Sequence, residues 1–153
     1  MRALPIIPLI PTTLAAAMPH PPEVRHLPDA DAIEIPPGVT LLHFAPETPG
    51  GPGDTHAQSR AALGAIAERL ALLGLGFGDL VRLQVALAPD PQHADTADRA
   101  GFEAAWHEAQ GQPAPAHAVL SILQVTGLGA RDQLVAIEAT AARPTLQAPP
   151  VGH

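Results

Sequence analysis

The 153 residues include no cysteine and no tyrosine, and aromatic side chains make up only 3% of the chain. The missing cysteine removes disulfides, thiolate nucleophiles and cysteine-ligated zinc together. It leaves the compartment open. Basic side chains are scarce as well: 8 Lys or Arg stand against 15 Asp or Glu, a formal charge of −7, with arginines scattered from Arg2 to Arg143. A nucleic-acid surface needs a basic patch to displace counterions, so this pattern speaks against a nucleic-acid partner. No apolar run is long enough to cross a bilayer, so no membrane partner is expected either.

Hydrophobic residues, mostly Ala, Leu, Val and Ile, make up 46% of the chain, which excludes an acidic disordered polymer. The length suits one domain with a real core. Small side chains bury little area each, so an oligomer interface is expected to add burial. The opening stretch, MRALPIIPLIPTTLAAAMP, loosely resembles a secretory signal, but Pro5, Pro8 and Pro11 would break a signal-type helix. Residues 1–28 therefore read as a proline-rich arm, 29–143 as the domain and 144–153 as an extended tail. A cytoplasmic location goes with this reading, a secreted or periplasmic one with a signal.

Within the domain, Ala32 to Ile35, the turn Pro36-Pro37-Gly38 and the strand Val39 to Phe44 read as a hairpin. The loop PETPGGPG follows. Asp54 and Thr55 are N-cap candidates, with Gln58 placed for a capping box around Thr55. Ala62, Leu63, Ile66, Ala67, Leu70 and Leu73 then recur at helical spacing, and Gly74 and Gly76 stop the helix. From Leu80 to Ala88, Val81, Leu83, Val85 and Leu87 alternate with Arg82, Gln84 and Ala86, the pattern of a half-exposed strand. A second helix, capped by Asp95 or Thr96, runs to about Ala109, with Phe102 and Trp106 one turn apart.

The stretch from Gln112 to Arg143 carries two more strands, His117 to Val125 and Leu134 to Ala142, joined through Gly127 and Gly129. In the second, Val135, Ile137, Ala139 and Ala141 share one face; Leu134, Ala136, Glu138 and Thr140 share the other. Glu138 is a lone carboxylate in an apolar strand. The order strand–helix–strand–helix–strand–strand predicts a layered α/β (α+β) domain, with two helices on one face of a mixed sheet. The other face is too apolar for water and predicts self-association.

The phrases QSRAALGAIAERLALLGLGFGDLVRLQVAL, PAHAVLSI and LVAIEATAAR, with Phe102 and Trp106 between them, occur in an order and at separations that resemble the RidA (YjgF/YER057c/UK-type) reactive-intermediate deaminase superfamily. The resemblance covers roughly Val39 to Arg143. It implies a chorismate-mutase-like fold, a homotrimer whose sheets form a central barrel, and ligand clefts between subunits. It further implies hydrolysis of 2-imino or enamine acids with no metal and no organic cofactor. In active members an arginine in a Pro-Ala-Arg phrase grips the substrate carboxylate, and a glutamate in an Ile-Glu-Ile-Glu-Ala phrase positions water. Here the arginine position is His117 and the first glutamate falls on Ala136; the second glutamate is kept as Glu138. Phe44-Ala45-Pro46-Glu47 stands where the family has Ser-Gly.

His117 and Glu138 are accordingly the catalytic candidates. The histidine would serve as polar anchor or proton shuttle, or else merely fill a cleft wall. Glu138 would replace the missing water-positioning group, or else serve as a paired structural carboxylate. His43, Glu47, Arg82 and Trp106 are the substrate-binding candidates, each with a plainer reading: strand histidine, loop decoration, solvated strand face and helix core. The eight histidines show no ligand-type spacing, so no metal site is expected. The expected partner is a small reactive imine, enamine or carbonyl compound to be hydrolysed or isomerised. The rival is a non-catalytic trimer that binds a metabolite or a partner through the same clefts.

Overall fold

A computed structural model of the chain describes residues 23–111 and 118–145. His117, the arm as far as Pro22 and the tail beyond Thr145 lie outside the described residues.

Among the described residues eight strands and two α-helices follow one another. The strands are β1 (Arg25–Leu27), β2 (Ala32–Glu34), β3 (Val39–His43), β4 (Leu80–Leu87), β5 (Pro89–Asp90), β6 (Thr96–Ala97), β7 (Val119–Gln124) and β8 (Val135–Pro144). Helix α1 (Thr55–Leu72) lies between β3 and β4, and α2 (Arg99–Gln110) between β6 and β7. The main sheet has the order β3-β8-β4-β7; β4 and β7 run parallel and the other neighbours antiparallel.

Two expected pairings are corrected here. β2 pairs with β1, within the stretch read as arm, and not with β3, which pairs with β8. The two strands of the Gln112-to-Arg143 stretch are not neighbours either, because β4 lies between them. Alternation along a strand fixes its faces, and says nothing about which long-range partner completes its ladder.

α1 is built as its sequence spells out. Asp54 caps it, its Oδ1 accepting the Ala57 N–H at 2.9 Å. At the other end Gly74 takes a left-handed φ of 71°. The Gly74 N–H then reaches the Ala71 carbonyl at 3.0 Å and the Leu75 N–H reaches Leu70 at 2.9 Å, the paired bonds of a Schellman stop. The capping box around Thr55 does not form, because its hydroxyl bonds to Asp90 instead. Gln58 is buried and accepts the Leu134 N–H at 2.9 Å.

α2 is capped by Asp98, not by Asp95 or Thr96: its Oδ1 accepts the Gly101 N–H at 2.9 Å. Asp95 is left-handed, φ 54°, and Thr96 belongs to β6, so neither is free to cap.

Both helices pack on one face of the main sheet. Ala62, Leu63, Ile66 and Leu70 of α1, with Phe102 and Ala105 of α2, meet Leu83, Val85 and Leu87 of β4 and Val135, Ile137, Ala139 and Ala141 of β8 in the core. Among the described residues the opposite face carries no helix. Leu41, Val119 and Leu123 stand on it between 39% and 49% exposed.

Candidate functional site

The face turned away from the helices gathers the polar candidates. Because residues opposite each other in a ladder share a face, registers alone align them. His43, Thr140, Arg82 and Val119 form one row across β3, β8, β4 and β7. Glu138, Gln84 and Ser121 form the next row. Within the first, His43 Nδ1 and Thr140 Oγ1 are hydrogen-bonded at 3.1 Å. Between the rows, Arg82 Nη2 donates to Gln84 Oε1 at 2.6 Å. His43, Arg82 and Glu138 are all exposed. A guanidinium carries five N–H donors, so Arg82 keeps donors for a ligand oxygen. Glu138 therefore sits on an open sheet face beside a cation, and no hydrogen bond or ion pair holds it among the described residues.

One end of this face borders a groove. It lies between the β1–β2 hairpin and the end of the sheet, measures about 360 Å³ and is lined by Val24, Ile33, Val39, Leu80, Val81 and Ala142. Glu23, His26, Asp79 and Arg143 line it as well, so charged and apolar side chains share its walls. Ala142 follows Thr140 on the same face of β8, and Val39 precedes Leu41 and His43 on β3. Ala142, in the groove's lining, thus stands one two-residue step from Thr140.

Two other candidates lie elsewhere. Glu47 bridges to Ile137, exchanging backbone bonds of 2.9 and 3.0 Å. Ile137 faces the helices, and so does the Glu47 carboxylate, 2.5 Å from the Arg69 guanidinium of α1. It makes an ion pair there without the alignment of a hydrogen bond. Trp106 packs edge-on against Phe77, with ring centroids 5.6 Å apart, also in the helix layer. The sheet separates both from His43, Arg82 and Glu138. β7 begins at Val119, opposite Arg82 and two residues after His117 in the sequence.

Sequence reasoning missed one cluster. Asp90, His93 and Asp98 place ligand-type atoms within 4.8 Å of one another, the one such group among the described residues. The i, i+3 spacing of Asp90 and His93 was its only signal. Asp90 Oδ2 accepts the N–H and hydroxyl of Thr55 at 2.9 and 2.8 Å, and Oδ1 accepts the Gln92 N–H at 2.8 Å. Burial works to raise the Asp90 pKa; the hydrogen bonds from Thr55 and Gln92, with His93 nearby, outweigh it, and the net direction is down. His93 lies 3.5 Å from Asp90 Oδ2 and 3.4 Å from Asp98 Oδ2. The N-termini of α1 and α2 both meet here, and their positive ends favour carboxylates over a cation. The cluster joins the two helices and offers a metal little.

The fold is shared with known proteins. YyfB of Yersinia pestis, of the conserved Rid protein family, is 25% identical over 72% of this chain and 83% of its own, with a TM-score of 0.58. Rv2704 of Mycobacterium tuberculosis, in the YjgF/YER057c/UK114 family, is 31% identical over 72% of this chain and 83% of its own, with a TM-score of 0.53. The chain belongs to that Rid (YjgF/YER057c/UK114) family. Its mixed sheet and two helices are the family's chorismate-mutase-like α+β fold. E. coli TdcF, solved with bound serine, shares the Rid fold at 22% identity, over 67% of this chain and 81% of its own, TM-score 0.51. No family model matches the sequence, and no curated protein matches it. No helix among the described residues is long and apolar enough to cross a membrane.

Proposed function

We propose that this Rid chain binds a small metabolite on the helix-free face of its sheet, within a homotrimer, and hydrolyses or isomerises a reactive imine, enamine or carbonyl compound there. The carrying observation is the alignment of His43, Thr140 and Arg82 in one row with Glu138 and Gln84 in the next. This places a cation, a carboxylate and a hydrogen-bonded imidazole on one surface, the groups needed to orient a polar substrate and move a proton. The exposed Leu41, Val119 and Leu123 around them are suited to burial between subunits. TdcF, of the same fold, holds serine, which supports a metabolite of that size.

In this reading Arg82 orients the electronegative end of the substrate, Glu138 positions water, and His117 contributes a proton or an anchor. No metal or organic cofactor takes part. Ala136 at the family's glutamate position favours a second reading, binding without turnover.

A coupled assay separates the two. An amino-acid oxidase generates the imine, and its decay is followed with and without the protein, alongside His117→Ala, after light scattering has established a trimer. Acceleration over the spontaneous rate supports turnover, and its loss in the variant assigns the histidine. A decay rate equal to the spontaneous one removes the hydrolysis reading and leaves binding.

A further inference from the structure

Both ends of the described domain reach the groove beside the β1–β2 hairpin. Glu23, where the proline-rich arm joins the domain, and Pro144, the last residue of β8, are both in its lining. We propose that this groove seats the chain's own arm, with Ile7 and Ile10 between the hairpin and the sheet and the arm's cationic start toward the carboxylates of Glu23 and Asp79. The seat is separate from the chemistry proposed for the helix-free face.

The hairpin is the element that gains most from an occupant. Among the described residues β1 and β2 form a two-stranded sheet of their own, and none of their residues is buried. A lone hairpin is marginally stable in water. Aliphatic side chains placed between Ile33 of the hairpin and Val39, Leu80 and Val81 of the sheet would hold it down. The arm carries such side chains at a regular spacing. Its segment LPIIPLIP, Leu4 to Pro11, has proline at every third place: Pro5, Pro8 and Pro11. That period favours the three-residue turn of polyproline II, which sets Leu4, Ile7 and Ile10 along one edge. A segment biased this way binds with a small ordering cost. Charge agrees. Residues 1–22 contain no acid and one arginine, Arg2, while the chain as a whole stands at −7. The groove sets two carboxylates, Glu23 and Asp79, against one guanidinium, Arg143, with His26 beside them. Length is sufficient as well: the stretch from Pro11 to Pro22 spans up to roughly 40 Å when extended, so the arm can double back onto the wall from which it leaves. At about 360 Å³ the groove is on the scale of a few side chains, not of a folded partner.

The chain has no cysteine, so Ala3→Cys carries a single nitroxide label, and the methyl signals of the isotope-labelled full chain report their distance from it. A tethered segment acts at an effective concentration of roughly millimolar, so the arm should be seated in most molecules. Ile33, Val39 and Val81 should then lose at least half of their methyl intensity. Leu123, paired opposite Ala86 at the far end of β4, should keep most of its own. Ile7→Asp together with Ile10→Asp, both outside the described core, should restore the groove signals in the labelled chain. Broadening that is equal with and without these two substitutions is tethering alone and overturns the seat. Broadening spread evenly from Ile33 to Leu123, or none at all, overturns it too. Spin-labelled copies refolded together with isotope-labelled copies that lack the nitroxide report contacts between chains. No groove broadening is expected in that mixture; its presence would assign the groove to a neighbour's arm and overturn the placement on the same chain.

Discussion

The carboxylate of Asp90 holds Thr55 twice, accepting its backbone N–H at 2.9 Å and its hydroxyl at 2.8 Å across 35 positions of chain. Asp90 and Thr55 are both fully buried, so the two Thr55 donors have no water to turn to, and the Gln92 N–H adds a third bond at the edge of the site. Asp90→Ala should cost about 3 kcal/mol, the scale for leaving buried donors without a charged acceptor. The sign of the pH effect follows from the lowered pKa. Such a carboxylate stabilises fully above its unfolded-state value, near 3.8, and that contribution is lost as pH falls through the still lower folded value. Urea titrations from pH 7 down to about pH 2 should show the gap between wild type and Asp90→Asn shrinking below about pH 4. A gap that stays constant with pH would refute the assignment.

Gln58 performs a similar task one turn into α1. Its Nε2 donates to the carbonyls of Gly51 and Asp132 at 3.2 and 2.7 Å, while its Oε1 accepts the Leu134 N–H. A single side chain thus ties two loops to the helix. Gln58→Ala should destabilise by roughly 3 kcal/mol. Gln58→Glu should be at least as harmful at pH 7, since it sets a carboxylate against two carbonyl oxygens. Denaturant midpoints at constant slope are the measurement; losses below about 0.5 kcal/mol would mean that the bonds are not maintained in solution.

How much of this could be read beforehand depends on range. The Asp54 cap, the Gly74 stop and the buried face of Val135, Ile137, Ala139 and Ala141 are local, set by spacing and side-chain type, and the sequence shows them directly. The choice of Asp98 over Asp95 as the cap of α2 is not local: all three residues from Asp95 to Asp98 except Ala97 are able to cap, and the β5–β6 turn decides by placing Asp95 in the left-handed region. At the site, alternation put Glu138 and Thr140 on one face, and Arg82 on the exposed side of its own strand. Their alignment with His43 required the β3-β8-β4 order, which is long-range pairing. Glu47 escaped because the backbone between His43 and Glu47 leaves the β3 ladder before bridging back to Ile137 and facing α1.

Two glycines make opposite predictions. A Cβ at Gly101 would meet Asp98 Oδ2 at 2.1 Å and Asp98 Cγ at 2.9 Å, displacing the carboxylate that caps α2. Gly101→Ala should cost about 1–2 kcal/mol through the lost cap. Gly64, in the interior of α1, has nothing within 4 Å of its missing Cβ. Gly64→Ala should stabilise by about 0.5–1 kcal/mol, as glycine in a helix interior is worse than alanine by that amount. Thermal melts of the two variants side by side check both signs, and a shift in the same direction for both would count against the packing described around α2.

The last prediction separates the two faces of the sheet. Arg82 and Glu138 are exposed, so Arg82→Met and Glu138→Gln should each change stability by no more than about 0.5 kcal/mol. Their effects on turnover should be larger and of different kinds. On the proposed function Arg82 orients the substrate, and its loss should raise KM at least tenfold. On the same proposal Glu138 positions water, and its loss should lower kcat at least tenfold with KM little moved. Trp106→Phe and Glu47→Gln, in the helix layer, serve as controls and should leave both constants within twofold. The same imine-decay assay, run on all four variants with their assembly verified, gives the answer. Full activity in Arg82→Met and Glu138→Gln, or losses confined to the helix-layer variants, would move the chemistry off the helix-free face.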